Sequence, residues 1–217
     1  NETDFTDFNY LTSNQRVDYI IEQTNYYGYS GERVKGLMFC SSKKEAAALS
    51  ERLNLRGYRT IALSGEDSQE KREDAIDRLV SDTRSDYLQY ILTVDIFNEG
   101  VDIPEINQVV LLRPTQSPIV FVQQLGRGLR KSKGKEYVVI LDFIGNYKNN
   151  FMIPIALSGD RSYNKDNIRR YVLEGERIIP GSSTIHFDEI SKKQIFASID
   201  TANFADIKLI KDSYKNL

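Results

Sequence analysis

The sequence predicts an α/β fold, with a doubly wound, mostly parallel sheet followed by a mixed, mainly helical C-terminal extension. Two features of the chain lead to this prediction. Short apolar runs alternate with stretches in which apolar residues recur at helical spacing, as expected when helices join parallel strands. The short runs are also apolar at nearly every position, which is typical of strands covered by helices on both faces.

The composition is that of an ordinary globular protein. The chain has 217 residues, of which 40% are hydrophobic and 28% are charged, and its net charge is −2. This length allows one well-buried domain with an appendage, or two small domains. Bulk charge gives no argument for nucleic-acid binding, so any such surface has to be local. No apolar run is long enough to span a membrane, and no membrane partner is expected.

A single cysteine, Cys40, and a single histidine, His186, limit the chemistry that the chain can perform. One cysteine cannot form an internal disulfide, and these two residues are too few for a zinc cluster, so no metal site is predicted. We expect Cys40 to be a buried, unreactive thiol because it ends an apolar run. This cysteine usage is typical of a reducing, cytoplasmic compartment.

Residues 1–34 are predicted to form a linker and an opening helix. Thr12 and Gln15 have the spacing of a capping box, so the helix is expected to begin there. Val17 and Ile20 then start a set of apolar residues at helical spacing, which gives the helix one face to bury. The chain opens on an asparagine, and we expect it to be part of a larger protein or a processed product.

Residues 35–145 are predicted to form the α/β domain itself. Two helical stretches, at residues 43–56 and 68–79, separate its first three strands. The predicted strands occupy residues 35–40, 59–63, 90–94, 109–112 and 137–141. Helical connections allow consecutive strands to run parallel, because a parallel pair needs a crossover between its strands.

Polar residues follow the predicted strands, at the points where ligands bind in sheets of this kind. Ser41 comes after the first strand and Thr93 lies near the end of the third. Ser64 and Gly65 come after the second strand. Because the carboxyl ends of parallel strands meet at one edge, these residues are expected to lie near one another. The sequence therefore predicts a binding site at this edge.

Residues 146–217 have a different character and are predicted to form an extension or a small subdomain. Helical stretches are predicted at residues 166–176, 191–199 and 205–214. A strand-like segment is predicted at residues 184–187. This part of the chain carries no motif that indicates a function by itself.

The strongest functional signal is the motif Gln123-x-x-Gly126-Arg127-x-x-Arg130. Its two arginines are three residues apart and share one face if the segment is helical. A guanidinium is a planar, permanently charged fork suited to paired contacts with phosphate oxygens. Two arginines alone would more simply be a solvated surface, but the whole pattern resembles motif VI of superfamily two helicases and translocases. Three lysines extend the basic run and are interpreted as a solvated face: Lys131, Lys133 and Lys135.

A second motif, upstream of the first, supports this resemblance. Residues 91–105 run from an apolar strand into Glu99-Gly100-x-Asp102-x-Pro104. Gly100 gives the backbone freedom beside Asp102, and Pro104 stiffens the exit. Acidic loops after strands are common, but this one resembles motif V, most closely in the bacterial excision-repair helicase and type III restriction-like branch. The two motifs are separated by one predicted strand and one helix, as in that superfamily.

Two weaker motifs agree with these. Residues 36–42, followed by a lysine-led helix, resemble motif IV of the same superfamily. Residues 64–72 resemble the segment that follows it, with Ser64 where histidine often stands. The resemblance covers residues 35–145 and implies a RecA-like fold of the P-loop NTPase type, as the second lobe of a two-lobed motor.

The resemblance implies that this lobe completes an ATP site. Arg130 matches the arginine finger and Arg127 its companion at the γ-phosphate, while Gln123 helps to orient that site. Gly100 and Asp102 match the loop that touches the nucleotide and couples the two lobes. The chain contains neither Gly-x-x-x-x-Gly-Lys-Ser/Thr nor an acidic magnesium motif. ATP and Mg2+ are therefore expected on an N-terminal RecA-like lobe of the same parent chain, and this chain alone is expected to be inactive.

The resemblance also implies nucleic-acid binding at the carboxyl edge of the sheet. Four residues match positions that hold one strand through its phosphates: Ser41, Ser64, Gly65 and Thr93. Such backbone contacts suit a motor that steps along any sequence. Glu99 stands where DEAD-box RNA helicases have arginine, which favours DNA as the partner, with RNA as the alternative.

Two other functions stay open from the sequence alone. The first is a non-hydrolysing nucleic-acid or protein-binding module with a motor-like fold, although intact Arg127 and Arg130 argue against it. The second is the motor part of a restriction-type nuclease, in which translocation serves cleavage by a separate domain. Residues 146–217 resemble the segment after the motor in large bacterial helicases with a nuclease-like domain, which favours a bacterial origin.

Overall fold

The structure of the protein is a computed structural model with two compact units. The first comprises Asn1–Pro114 and Gln123–Asn146, and the second comprises Thr115–Val122 and Tyr147–Leu217. The structure describes residues 13–94, 103–113, 132–143, 151, 154–155, 158, 162, 164–174 and 187–202. The described part of the first unit contains a sheet and its helices, and that of the second contains two helices.

In the described part of the first unit, five strands form one sheet in the order β2-β3-β1-β4-β5. The strands are β1 Gly36–Phe39, β2 Thr60–Leu63, β3 Tyr90–Thr93, β4 Gln108–Leu111 and β5 Val139–Asp142. All neighbouring strands are parallel, which confirms the predicted α/β class. Each predicted strand is present, and only its ends are displaced by one or two residues.

Strand β1 lies in the middle of this sheet. From β1 the chain continues to β2 on one side, whereas β4 is followed by β5 on the other side. In doubly wound sheets, ligands bind outside the carboxyl ends of the strands at the point where this direction reverses. Here that point lies between the carboxyl ends of β1 and β4.

Three described helices belong to the first unit: α1 Asn14–Tyr27, α2 Lys43–Leu55 and α3 Gln69–Val80. A serine precedes each helix and accepts a hydrogen bond from an amide of the first turn, which satisfies one of the unpaired helical donors. Beyond the end of α2, Gly57 takes a φ of 87°, a left-handed conformation that glycine adopts without strain.

The predicted start of the opening helix was displaced by one residue. Ser13, instead of Thr12, caps α1, because the Ser13 hydroxyl accepts from the amide of Arg16 at 3.2 Å. Thr12 itself lies outside the described residues. With Ser13 as the cap, Arg16 is the third residue of the helix and falls in its first turn.

The core of the first unit lies between the sheet and helices α1 and α2. Ile20 of α1 and Leu49 of α2 pack with Leu92 and Val110 of the central strands, and all four are fully buried. Strands β1, β3 and β4 bury every residue, whereas the outer strands β2 and β5 are partly exposed. Because the central strands bury the side chains on both faces of the sheet, the second face must be covered too. Helix α3 buries Leu79.

The described part of the second unit contains α4 Lys165–Glu174 and α5 Glu189–Thr201. Ile168 of α4 and Ile195 of α5 are buried on the apolar faces of these helices. Both helices confirm predictions made from apolar spacing. The helix predicted at 205–214 lies outside the described residues, as does most of the strand-like segment at 184–187.

No described helix combines the length and the apolar character that a membrane span requires. Within the described ranges, no three His, Cys, Asp or Glu side chains gather where they could hold a metal ion.

Candidate nucleic-acid interface

The carboxyl ends of the five strands lie in one row across the sheet. The positions paired in register along this row are Leu63, Thr93, Phe39, Leu111 and Asp142. Adjacent strands are about 4.8 Å apart, so residues that follow these positions meet along one edge. The structure therefore brings together the four residues predicted to bind nucleic acid: Ser41, Ser64, Gly65 and Thr93.

Ser41 lies on the exposed turn between β1 and α2. Its backbone amide and its hydroxyl both donate to the same carboxylate oxygen, Oε2 of Glu45, at 2.6 Å and 2.5 Å. The next residue, Ser42, caps α2 by accepting from the amide of Glu45 at 3.1 Å. Glu45 thus fixes the turn that carries Ser41 through its side chain and its backbone at once.

Glu45 also forms a buried ion pair with Arg16 of α1. Arg16 Nη1 lies 3.4 Å from Glu45 Oε1, and the exposed fractions of the two side chains are 7% and 0%. Arg16 Nη2 donates to the carbonyl oxygen of Leu112, just beyond β4, at 3.2 Å. The guanidinium therefore joins α1, the Ser41 turn and the end of β4 at the point where ligands bind in doubly wound sheets.

Cys40 lies beside this ion pair and is fully buried, as predicted. Burial, together with the Glu45 carboxylate, raises the pKa of its thiol well above the usual value. A neutral thiol is a poor nucleophile, so Cys40 acts here as a small apolar residue of the core.

Ser64 and Gly65 lie on the turn between β2 and α3. Asp67 closes this turn by accepting from the amide of Ser64 at 2.6 Å and from Nζ of Lys71 at 2.5 Å. These two donors hold the pKa of the Asp67 carboxyl below its ordinary value of 3.8, the lysine contributing most. Gly65 is exposed, and a Cβ at this position would meet nothing within 4 Å.

Thr93 ends β3 and is fully buried. Its hydroxyl oxygen has no hydrogen-bond partner among the described residues. Such groups are rare in native proteins and require an explanation. In this structure the side chain is closed to a phosphate that arrives from solvent, so its predicted contact would need a movement of the residues around it.

The charges at this edge are locally balanced. Lys43, in the first turn of α2, forms an ion pair with Glu66 of the neighbouring turn at 2.5 Å. Lys71 of α3 is paired with Asp67. Both lysines are about half-exposed, so these pairs are screened by solvent and can rearrange when an anion binds.

The residues predicted to act on ATP lie outside the described residues: Gly100, Asp102, Gln123, Arg127 and Arg130. Their roles stay predictions. Of the three lysines that extend the basic run, Lys131 also lies outside and Lys133 is exposed. The prediction of a solvated face is wrong for Lys135, which is partly buried and donates to backbone carbonyl oxygens.

Arg16 and Glu45 are the residues of this edge that sequence patterns alone did not identify. Glu45 has a local signal, because Ser42 and Glu45 have capping-box spacing at the start of α2. Arg16 has none, because its contacts are with another helix and with Leu112, which is 96 residues away.

Comparison with protein families gives one match, to the helicase conserved C-terminal domain. It covers residues 15–132, which is more than half of the chain and includes the ends of β1 to β4, with Ser41, Ser64, Gly65 and Thr93.

Curated relatives match parts of the chain. IRC3 of Saccharomyces cerevisiae, assigned as an ATP-dependent helicase, is 27% identical over 153 residues, or 70% of this chain and 22% of IRC3. The ATP-dependent RNA helicase SrmB of Haemophilus influenzae is 30% identical over 102 residues, or 47% of this chain and 22% of SrmB. The chain thus spans about a quarter of the length of such relatives.

Solved structures share the fold. A fragment assigned as the HsdR subunit of a type I restriction enzyme from Vibrio vulnificus superposes with a TM-score of 0.51 at 21% identity, over 61% of this chain and 27% of that chain. The E. coli DEAD-box protein SrmB, bound to regulator of ribonuclease activity A, gives 0.50 at 19% identity, over 76% and 80%. These identities show the fold alone, the RecA-like lobe of helicases. On the match over residues 15–132, the chain belongs to the helicase conserved C-terminal domain family.

Proposed function

We propose that this protein is the second motor lobe of an ATP-dependent superfamily two helicase or translocase. ATP and Mg2+ are held by a first RecA-like lobe of the parent protein, and Arg127 and Arg130 reach the γ-phosphate when the lobes close. Gln123, Gly100 and Asp102 belong to the same cleft. An arginine finger of this kind accelerates phosphoryl transfer by about 10³- to 10⁵-fold, because it stabilises charge on the transferring group.

The observation that carries this proposal is where the two motif segments join the sheet. Residues 95–102 follow β3 and residues 114–131 follow β4, so the chain runs into both segments from the carboxyl edge. Nucleotides bind at this edge in doubly wound sheets. The family match over residues 15–132 spans both segments, which supports the interpretation of both motifs as parts of that domain.

The same edge supports binding of a nucleic-acid strand through its phosphates. Ser41 and Gly65 are exposed there, and Ser64 is half-buried on the same turn as Gly65. The first turn of α2 adds backbone amides, which favour anions at a helix N-terminus. Contacts of this kind ignore base identity, as a motor that steps along any sequence requires.

We further propose DNA as the strand and the excision-repair and type III restriction-like branch as the origin of the lobe. Glu99, where DEAD-box RNA helicases have arginine, supports this choice. SrmB is named an RNA helicase, but it is 30% identical over 47% of this chain, so its name does not decide which nucleic acid this chain binds. RNA is the alternative that the experiment below decides.

ATP hydrolysis by the full-length parent protein, with and without single-stranded DNA or RNA, tests the proposal. We expect hydrolysis that DNA stimulates more strongly than RNA does. Stronger stimulation by RNA would overturn the choice of DNA but not the proposal that the protein is part of a motor. Absence of hydrolysis under all conditions would overturn the motor in favour of a non-hydrolysing binding module. ATP-dependent cleavage of the DNA would favour the motor of a restriction-type nuclease.

A further inference from the structure

The hydrogen-bond donors of Ser41, which is predicted to bind phosphate, are already occupied within the protein. A serine has two donors, its amide and its hydroxyl, and phosphate oxygens accept hydrogen bonds only. Both donors of Ser41 are taken by Oε2 of Glu45, at 2.6 Å and 2.5 Å. The exposed side of Ser41 therefore offers only acceptor lone pairs to a phosphate.

The Glu45 carboxylate is also fixed by a contact inside the protein. Glu45 is fully buried, and its other oxygen is paired with the buried Arg16. Short bonds from an amide and a hydroxyl to one anionic oxygen are also the arrangement by which proteins bind phosphate. A phosphate oxygen that accepted from both Ser41 donors would have to take the place of Glu45 Oε2.

We propose that Glu45 is an internal substitute for a nucleic-acid phosphate at Ser41, and that a bound strand displaces it. This inference rests on the proposed function. In the free protein the carboxylate satisfies the Ser41 donors. When a strand binds, a phosphate oxygen takes both donors and Glu45 keeps its ion pair with Arg16. The competition weakens binding to any one phosphate, which lets a moving motor release the strand at each step.

Neutralising Glu45 tests this competition, because Glu45→Gln keeps the shape and weakens the acceptor. Titration of labelled oligodeoxythymidylate and oligouridylate with the full-length protein measures the effect. We expect Glu45→Gln to bind the preferred strand on the order of five- to tenfold more tightly, since charge-assisted hydrogen bonds are stronger than neutral ones. A residue with a merely structural role would weaken binding when altered, or leave it unchanged.

Three variants separate the local effect from others. Glu51→Gln, an exposed glutamate on the same helix, makes the same change in net charge and is expected to leave affinity within twofold of wild type. Ser41→Ala removes one of the two donors, so the gain from Glu45→Gln should fall by at least half in that background. Arg16→Met with Glu45→Gln leaves no unpaired buried charge, and is expected to show the gain if Glu45→Gln alone fails to fold.

The outcomes distinguish this inference from the function on which it rests. If the wild type binds neither oligonucleotide, the proposed function is overturned, and this inference with it. If the wild type binds but the folded Glu45 variants bind no more tightly than Glu51→Gln, only this inference is overturned. A gain of equal size in the Ser41→Ala background would also overturn it, because the carboxylate would then act without Ser41.

Discussion

Lys135 donates a hydrogen bond to the carbonyl oxygen of Ile106 at 2.9 Å, and a second one to that of Pro104. Pro104 and Ile106 come just after residues 95–102, and Lys135 comes just after residues 114–131. One ammonium therefore ties together the ends of the two segments that carry the proposed ATP-site residues. Burial lowers the pKa of Lys135, and the nearby Glu105 opposes this shift.

Replacing Lys135 by methionine should lower stability without weakening nucleic-acid binding. The variant keeps the apolar stem but leaves the carbonyl oxygens of Pro104 and Ile106 without this donor, which costs about 1–3 kcal/mol of unfolding free energy. Urea denaturation measures the loss. The control is Lys133→Met, at an exposed lysine in the same turn, which should stay within about 0.5 kcal/mol of wild type. Equal losses of unfolding free energy in the two variants would contradict a stabilising role for the hydrogen bonds of Lys135.

The central strands of the sheet are predictable from sequence, because burial on both faces favours apolar residues at nearly every position. In β3, Tyr90, Ile91 and Leu92 are apolar in succession, and all are buried. Helix ends are less predictable, because several residues can cap. At the start of α1, Ser13 takes the role that the spacing of Thr12 indicated, because serine and threonine are both residue types that cap helices.

The polar contacts of the candidate site could not be predicted in this way. Lys135 belongs to a basic run that is typical of a solvated face, yet its ammonium donates to backbone carbonyl groups of residues far away in sequence. Arg16 meets Glu45 and Leu112 only because the fold brings a helix, a turn and a strand together. Motifs predict residues that contact a ligand, whereas such supporting contacts depend on the register of distant elements.

Gly36 of β1 should not accept a methyl group, whereas Gly65 should. A Cβ at Gly36 would lie 2.3 Å from two ring carbons of Tyr90, and that ring is buried and hydrogen-bonded to Gln108. Gly36→Ala is therefore expected to lose about 1–3 kcal/mol of unfolding free energy. Gly65→Ala enters open space and should change stability by less than about 0.5 kcal/mol. Thermal denaturation that ranks the two variants equally would refute this packing.

Thr93→Val should maintain or raise stability, because it removes a buried hydroxyl with no partner in the described part of the chain. The matched control is Thr60→Val. The Thr60 hydroxyl donates to the carbonyl oxygen of Ser50 at 3.1 Å and lies 3.1 Å from Oδ1 of Asn54. Loss of these bonds should cost about 1–3 kcal/mol in chemical denaturation. If Thr93 contacts a strand as predicted, its valine variant will bind nucleic acid less tightly despite its stability.

Acid should loosen the turn that carries Ser64 through protonation of Asp67. The pKa of Asp67 is lowered from 3.8 in the folded state, so its contribution to stability is complete above this value and is lost as pH falls through the folded pKa. Asp67→Asn should thus be less stable than wild type at neutral pH, and the difference should shrink in acid below 3.8. Melting temperatures across this range measure it. Gln69→Ala, an exposed change in the next turn that removes no titratable group, should show no such convergence.

The measurement that tests the account most directly is nucleic-acid-stimulated ATP hydrolysis by the full-length parent protein, wild type against Arg130→Ala. Lys133→Ala, a nearby exposed cation, is the control. We predict that Arg130→Ala lowers the rate constant by on the order of 10³-fold or more while nucleotide binding is largely kept, because the finger acts on the transition state. A rate close to that of Lys133→Ala would contradict the claim that this lobe supplies the arginine finger.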